Sequence, residues 1–221
     1  MGGKQIILTS FWRSSCSWRV RIALAYKGLA HKISTIHLQR DGGEQFTAAY
    51  QEKNPMSQVP LLEIKGNGSE KPYLLSQSMA VMEYLEEVYP DPPILPSSPI
   101  DRARVRQIAE IINSGIQPLQ NSATMKKVEA AGGDKASWAK YWIEDGLGKL
   151  ERQTAEFGNT RFLVSDSPTI AEFCLVPQLY GARRFGCEVN GWPRLLEVEA
   201  RCLTLPAFES TCPENQLDAE N

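Results

Sequence analysis

A proline-rich segment divides the 221-residue chain and constrains its architecture more than any other feature of the sequence. Residues 90–99 read PDPPILPSSP, so that five of the fourteen prolines lie within ten positions. Proline at this density cannot continue a helix or a central strand, and it favours a stiff linker. Since a typical domain has roughly 150 residues, we predict two small domains, at residues 1–89 and 100–221, joined by residues 90–99.

Before the linker, strand and helix patterns alternate. Short runs typical of strands occur at residues 5–9, 32–38, 54–64 and 73–78. Apolar residues at helical spacing cover residues 20–26, 45–50 and 78–88, and Lys27-Gly28 and Pro90 end the first and last of these helices. The last two strands form a hairpin across a turn-like segment at residues 65–72. This order predicts a mixed α/β domain, a small four-stranded sheet covered by helices.

Beyond the linker the patterns are helical throughout. Ser98, Pro99 and Asp101 offer an N-cap, a proline at the first helical position and a nearby acid. Gly115 and Pro118 should bend or end that helix. A second apolar stripe comprises Trp138, Trp142, Leu147, Leu150 and Phe157. A capping-box spacing, Thr169 to Glu172, begins a third helix, so the second domain is predicted to be all-α.

Composition and charge exclude several classes of function. The 24 Lys and Arg against 26 Asp and Glu give a net charge of -2, which lacks the basic excess that nucleic-acid binding requires. No apolar run reaches the ~18 residues that span a bilayer, and no secretory signal is visible, so we expect a cytoplasmic protein without a membrane partner. Two histidines and five scattered cysteines favour reduced thiols over disulfides or a metal site. We expect burial for most of Cys174, Cys187, Cys202 and Cys212.

Residues 13–19, RSSCSWR, lie between the first predicted strand and the first predicted helix. Backbone N–H groups and the dipole at a helix N-terminus favour a bound anion, so the hydroxyls here can be functional. Plain capping by serine is the alternative, and on local pattern alone it is the more frequent one. Cys16 is similarly either a small buried residue or, at a helix start, a thiol with more thiolate character.

Two further motifs precede a strand and a helix. Val59-Pro60 stands just before an apolar strand, where proline requires a cis peptide bond or an edge position. Gln77-Ser78 begins the next helix, either as an ordinary cap or as a second anion-binding N-terminus. The residues by themselves leave both alternatives open.

Four motifs together resemble a single family. They are SSCSWRVRIAL at residues 14–24, NPMSQVP at 54–60, Gln77-Ser78, and GIQPLQN at 115–121. From about Ile6 to Phe208 the chain resembles the zeta-class glutathione transferases, the maleylacetoacetate isomerases, for which SSCSWR is a specific motif. It departs from the family pattern at Ser165-Asp166, where Gly-Asp is usual, and at Glu172, which replaces a capping aspartate. The segment at residues 65–72 is also longer than the resemblance leads us to expect.

The resemblance implies a thioredoxin-like domain that binds glutathione, followed by an all-helical domain carrying part of the substrate site, in a cytosolic homodimer. It implies glutathione-dependent cis-trans isomerisation of maleylacetoacetate to fumarylacetoacetate, a step of phenylalanine and tyrosine catabolism. Transferase activity on small electrophiles such as α-halo acids is implied as a side reaction.

The resemblance also implies roles for individual residues. Ser14 would donate to the glutathione sulfur, with Ser15 and Cys16 beside it in the catalytic site. Arg184, or its neighbour Arg183, would hold a substrate carboxylate. The glutathione-binding residues would be Ser14, Ser15, Cys16, Ser17, Trp18, Arg19, Gln45, Val59, Gln77, Ser78, Gln117, Asn121, Ser122 and Ala123. No metal site is implied.

Two other functions compete with the isomerase. A thiol-disulfide enzyme of the omega or glutaredoxin type would need a nucleophilic cysteine where Ser14 stands, and Cys16 keeps this hypothesis open, because an accessible thiol can form a mixed disulfide with glutathione. A non-catalytic module of the same fold is the third hypothesis. Loss of the glutathione-site residues would favour such a module, whereas this sequence retains them.

Overall fold

The structure, a computed structural model, describes residues 5–66, 71–158 and 160–220, and the chain divides into two units. The first unit comprises Met1–Pro92 together with Pro206–Asn221, and the second comprises Pro93–Leu205. The boundaries at residues 89 and 100 therefore do not coincide with those of the units. Most of the predicted linker belongs to the second unit, because Ile94 and Leu95 are buried and the Ile94 carbonyl accepts a hydrogen bond from the Ile170 N–H at 3.1 Å.

The first unit is the predicted thioredoxin-like domain, built on a four-stranded mixed sheet. Its described strands are β1 (Gln5–Ser10), β2 (Lys32–Thr35), β3 (Leu61–Lys65) and β4 (Tyr73–Ser76), and its first helices are α1 (Ser15–Tyr26), α2 (Ala48–Lys53) and α3 (Ser78–Val88). The strand order is β2-β1-β3-β4, with β1 parallel to β2 and antiparallel to β3. Leu8, Leu62 and Leu85 are fully buried, so the core lies between the sheet and the helices.

The second unit is all-helical, as predicted. Its described helices are α4 (Pro99–Glu110), α5 (Ser122–Ala130), α6 (Lys135–Thr154), α7 (Ile170–Arg184) and α8 (Pro193–Leu203). Helix α4 passes into a π-helical turn, Ile111–Ile116, and then into a 3-10 turn, Gln117–Gln120. The predicted capping box is confirmed, since Glu172 accepts from the Thr169 N–H at 2.7 Å and the Thr169 hydroxyl accepts from the N–H of Ala171 at 3.2 Å.

The end of the chain returns to the first unit through a short helix, α9 (Pro206–Glu209), and the residues after it. The Thr211 hydroxyl accepts a hydrogen bond from Trp18 Nε1 at 3.1 Å, and the Thr211 carbonyl accepts one from Arg21 Nε at 3.2 Å. Both donors lie on α1 and are buried. These long-range bonds explain why the last residues are part of the first unit rather than of the helical one.

Several element boundaries differ from the predictions. Strand β2 ends at Thr35 rather than residue 38, because Thr35 pairs with Ser10, the last residue of β1, and β1 offers no partner beyond it. Residues 54–60 form a loop before β3, and the short helix predicted at residues 45–50 is α2, shifted towards the C-terminus. Helix α5 was not predicted, and Phe157 lies beyond the end of α6. Residues 67–70 of the predicted turn lie outside the described residues.

Candidate active site

Ser14 stands at the N-terminus of α1 with its side chain partly exposed. It is the N-cap, because its Oγ accepts a hydrogen bond from the Ser17 N–H at 3.2 Å, while its own N–H donates to the Phe11 carbonyl at 3.0 Å. Since the Oγ is the acceptor in the capping bond, the hydroxyl hydrogen remains available to a ligand. Capping and a functional hydroxyl are therefore compatible in this one side chain.

Ser15 and Cys16 form the first turn of α1 and, like the cap, are partly exposed. The predicted ligands that follow are buried: Ser17, Trp18 and Arg19. The Trp18 indole donates to Thr211, which belongs to the returning end of the chain. These three side chains thus support the helix start from within the unit, whereas Ser15 and Cys16 lie at its surface.

The N-terminus of α3 carries a hydroxyl with a buried cation hydrogen-bonded to it. Ser78, the first residue of α3, is buried, and its Oγ accepts from Arg19 Nη1 at 3.2 Å. Gln77 adopts a left-handed backbone with φ of 71°, and its Nε2 donates to Gln58 Oε1 at 3.3 Å. Helix dipole, guanidinium and hydroxyl all favour an anion at this position. The α1 and α3 N-termini are linked directly by the Arg19–Ser78 bond.

The loop before β3 is fixed by two side chains that donate to the same carbonyl. Tyr50 Oη donates to the Gln58 carbonyl at 2.6 Å, and Asn54 Nδ2 donates to it at 2.7 Å. The following Val59-Pro60 peptide bond is cis, which confirms one of the two expected arrangements. Val59 packs against the Tyr50 ring in a small cluster of buried residues. The peptide before Val59 is therefore held in one orientation.

Gln45 is buried, and one of its amide atoms has no hydrogen-bond partner among the described residues. Its Nε2 donates to the Leu38 carbonyl at 3.2 Å, whereas its Oε1 has no hydrogen-bond partner among the described residues. Gly43 lies against the same side chain, with φ of 111°, and a Cβ there would approach Gln45 Nε2 to 2.6 Å. A buried acceptor without a partner fits an N–H donor of a ligand.

The predicted ligands of the helical unit share one stretch of chain. Asn121 is the N-cap of α5, because its Oδ1 accepts from the Ala123 N–H at 2.8 Å. Gln117 begins the preceding 3-10 turn and is partly buried, and Ser122 is exposed in the first turn of α5. The side-chain oxygen of Asn121 thus already accepts a hydrogen bond from the first turn of α5.

Two adjacent arginines end α7, and the structure distinguishes them. Arg183 makes a two-pronged ion pair with the buried Glu199, with Nη1 to Oε1 at 2.6 Å and Nη2 bonded to Oε2. This hydrogen-bonded carboxylate raises the pKa of Arg183 further above its ordinary value. Arg184 is exposed at the helix end. The partner of Arg183 is therefore a protein carboxylate, that of Glu199.

The remaining cysteines are poor candidates for thiol chemistry. Cys174, Cys187 and Cys202 are buried, which confirms the expectation for most of this group, and Cys212 is partly exposed. Burial raises the pKa of the Cys187 thiol to about 11 and raises that of Cys202 as well, so both stay protonated. Within the described ranges, no three His, Cys, Asp or Glu side chains are grouped as a metal site would require.

Known proteins match the whole chain. A family model for the glutathione S-transferase N-terminal domain matches residues 13–88. A maleylacetoacetate isomerase of Dictyostelium discoideum is 41% identical over 100% of this chain and 99% of its own length. A maleylacetoacetate isomerase of Anaeromyxobacter dehalogenans, solved with glutathione in its active site, is 44% identical over all of both chains, with a TM-score of 0.89. A maleylpyruvate isomerase described as a bacterial zeta-class transferase is 34% identical, covering 97% of this chain and 100% of its own, with a TM-score of 0.88.

The chain belongs to the maleylacetoacetate isomerases, zeta-class glutathione transferases. Three side chains that hold the loops of this candidate site escaped the sequence reasoning, namely Tyr50, Asn54 and Arg21. Asn54 and Arg21 both lie inside the motifs that carried the resemblance, and this was the only feature of the sequence from which their importance could have been inferred. Asn54 donates to a backbone carbonyl, and Arg21 donates to backbone carbonyls and to the Ser10 hydroxyl; no residue pattern reveals these contacts.

Proposed function

We propose that this chain is a glutathione-dependent isomerase that converts maleylacetoacetate to fumarylacetoacetate, a step of phenylalanine and tyrosine catabolism. The observation that carries the proposal is the N-terminus of α1, where a partly exposed serine hydroxyl has its hydrogen free in a motif specific to this class. Relatives that carry the isomerase name match the full length of the chain. Glutathione is the proposed cofactor.

The described residues suit an anionic, thiol-containing ligand. Ser14 offers a hydroxyl hydrogen, the first turns of α1 and α3 offer backbone N–H groups, and neither turn carries an acid within the described residues. Ser78, with Arg19 bonded to it, would hold the γ-glutamyl carboxylate. Gln45 and the backbone of Val59 would hold amide groups of the tripeptide. Gln77 would assist at the start of α3.

The proposed role of Ser14 is to stabilise a thiolate. A free thiol has a pKa of ~8.5, and lowering it by one unit requires ~1.4 kcal/mol of preferential stabilisation of the anion. The helix dipole contributes ~0.3–1 kcal/mol, whereas a hydrogen bond to a charged acceptor contributes ~1.5–3 kcal/mol. The hydroxyl should therefore dominate. When bound, glutathione supplies a sulfur nucleophile that can add to the cis carbon–carbon double bond of the substrate. Rotation about that bond requires that it temporarily become a single bond.

Arg184, exposed at the end of α7, is the proposed contact for a substrate carboxylate, the role that the resemblance implies for it. A guanidinium suits this role, since it remains charged and matches a carboxylate with two parallel donors. The same contact would admit small α-halo acids, on which the thiolate would displace halide. Gln117, Asn121, Ser122 and Ala123 are retained as proposed ligands from the helical unit.

The assembly and the compartment are also proposals. Strand β4 is an edge of the sheet, and its Tyr73 is 71% exposed, with Leu74 beside it partly exposed. An exposed edge with apolar side chains favours association, here a homodimer. No helix of the described residues is long and apolar enough to cross a membrane. All five cysteines are free thiols, and a reducing compartment such as the cytosol favours that state.

One assay tests the proposal against its two competitors. We would measure the isomerisation of maleylacetone by the purified protein with and without glutathione, and expect rapid turnover only with it. Absence of turnover, with a Cys16-dependent mixed disulfide, would favour the thiol-disulfide enzyme. Binding of glutathione with neither reaction would favour the non-catalytic module.

A further inference from the structure

The loop before Ser14 is held by charged side chains from two distant parts of the sequence. Arg21, on α1, is 1% exposed and donates from Nη2 to the Trp12 carbonyl at 2.8 Å and from Nη1 to the Phe11 carbonyl at 3.3 Å. The Phe11 carbonyl also accepts the Ser14 N–H at 3.0 Å. The backbone of Ser14 and the Arg21 guanidinium thus share one acceptor.

The opposite side of the same loop is held by the returning end of the chain. Asp218 Oδ2 accepts from the Trp12 N–H at 3.0 Å, although the two residues are 206 positions apart. Two residues later, Glu220 pairs with Arg40 at 2.9 Å and with His37 Nε2 at 3.3 Å. The contact of Asp218 is partly buried, whereas the pairs of Glu220 are exposed and weak.

Arg21 and Asp218 also interact with each other. Burial lowers the pKa of Arg21 to about 10, and the Asp218 carboxylate opposes that shift. The Arg21 guanidinium remains charged at neutral pH, and its charge-assisted bonds to the loop carbonyls are stronger than neutral ones. The two charges therefore act on one peptide group, that between Phe11 and Trp12: Arg21 donates to the Phe11 carbonyl, and Asp218 accepts from the Trp12 N–H.

We infer that Arg21 and Asp218 are positioning residues for Ser14, which fix the Phe11 and Trp12 peptides and thereby aim the serine hydroxyl at the thiol. The inference rests on the proposed function of Ser14. It adds that the last residues of the chain, remote from the reactive motif in sequence, set how well the thiol ionises. Small shifts of a donor weaken a hydrogen bond steeply, so loosening this loop should reach the chemistry.

The test measures the pKa of the bound glutathione thiol from its ultraviolet thiolate absorbance across pH, together with kcat and KM. Asp218→Ala should raise that thiol pKa and lower kcat about fivefold to tenfold, within the range for loss of one hydrogen bond, with KM for glutathione little changed. Asp218→Asn keeps an oxygen that can accept the Trp12 N–H, and it should restore values to within about twofold of the unaltered chain. Asp218 is preferred to Arg21 for substitution, because removing the buried guanidinium can prevent folding.

Controls separate positioning from general destabilisation. Glu209→Gln removes a charge from an exposed carboxylate of the same segment and should change neither the thiol pKa nor kcat. An Asp218→Ala chain that melts at a lower temperature but keeps the thiol pKa and kcat would overturn the inference. Equal losses in Asp218→Asn and Asp218→Ala would overturn it as well. If Ser14→Ala leaves the thiol pKa unchanged, the proposed function of Ser14 fails and the inference fails with it. If Ser14→Ala raises the thiol pKa but Asp218→Ala does not, only the inference is overturned.

Discussion

Two helices of the first unit begin with a serine hydroxyl, but the surroundings of the two hydroxyls differ. At α1, Ser14 is the N-cap and accepts from a neutral backbone N–H at 3.2 Å, with its side chain partly exposed. At α3, Ser78 is the first helical residue, is buried, and accepts from the guanidinium of Arg19 at 3.2 Å. The Ser14 hydroxyl thus accepts from a neutral donor, whereas the Ser78 hydroxyl accepts from a group with a full positive charge.

The difference matches two of the anionic groups that glutathione would bring, its γ-glutamyl carboxylate and its thiolate. A carboxylate is charged throughout the physiological range, so a permanent buried cation can serve it. A thiol is titratable and must be stabilised as the thiolate, yet its sulfur must remain able to react and leave. A neutral donor supplies the moderate stabilisation that this requires, without an ion pair that would hold the sulfur too firmly.

Replacing Ser14 with Ala should have the largest effect. The variant loses the proposed donor to the thiolate, and a hydrogen bond to a charged acceptor contributes ~1.5–3 kcal/mol, so kcat should fall roughly 10- to 150-fold. KM for glutathione should change much less, because the carboxylate contact at α3 is intact. Steady-state kinetics with maleylacetone would check this. Turnover near that of the unaltered chain would remove Ser14 from the mechanism.

Replacing Ser78 with Ala should instead act on binding. The variant loses a hydroxyl donor and one acceptor of the Arg19 guanidinium, and we expect KM for glutathione to rise about tenfold with kcat nearly constant. A glutathione analogue whose γ-glutamyl carboxylate is an amide provides the control. The unaltered chain should discriminate against the amide, and the variant should discriminate less. If the unaltered chain and the variant discriminated equally against the amide analogue, Ser78 would not be a contact of the γ-glutamyl carboxylate.

The electrophile brings a third anion, which we assign to neither helix N-terminus. Arg184→Ala should raise KM for dicarboxylate electrophiles about fivefold to tenfold while leaving KM for glutathione unchanged. Arg183→Ala is the matched variant. It leaves the buried Glu199 without its partner, so it should lower the free energy of unfolding by about 1–2 kcal/mol and leave KM nearly constant. If Arg183→Ala raised KM for dicarboxylate electrophiles and Arg184→Ala did not, the contact with the substrate carboxylate would belong to Arg183.

Replacing Cys16 with Ala should have the smallest effect. The thiol lies in the first turn of α1 but is not the proposed donor, so kcat should stay within about threefold of the unaltered chain. Measuring isomerisation and glutathione mixed-disulfide formation on the same sample would check both roles. If Cys16→Ala lowered kcat as much as Ser14→Ala does, the Cys16 thiol would matter for turnover as much as the Ser14 hydroxyl, which contradicts the proposed roles.

The sequence predicted local elements well where one strong signal was present. The capping box at Thr169, the proline start of α4 and the stop of α3 before Pro90 each depend on residues within a few positions of one another. Helix α5 escaped prediction because none of the residues of its segment, SATMKKVEA, is buried, so the segment presents no apolar face to a core. Strand β2 was overestimated because its alternation continues past the point where β1 ends, and pairing rather than pattern sets strand length.

The candidate site residues could be named from motifs, but the contacts that hold them could not. Motifs identified Ser14 and Ser78, yet nothing local indicates that Arg19 on one helix donates to the hydroxyl that starts another. The contact of Asp218 with the Trp12 N–H likewise depends on a return of the chain over 206 positions. Buried charges at helical positions interrupt the apolar pattern and are easily taken for surface residues, although their partners stabilise them inside.

The division of the first unit between both ends of the chain has a consequence for synthesis on the ribosome. Residues Pro93–Leu205 form a contiguous unit, so the helical part can fold while later residues are still being added. The acceptors that Thr211 offers to Trp18 and Arg21 emerge only after that whole unit, 190 positions after Arg21, which is roughly 10–40 s later at ~5–20 residues per second. During that interval the buried donors of α1 lack these partners, so the first unit begins to emerge first but completes its hydrogen bonding last.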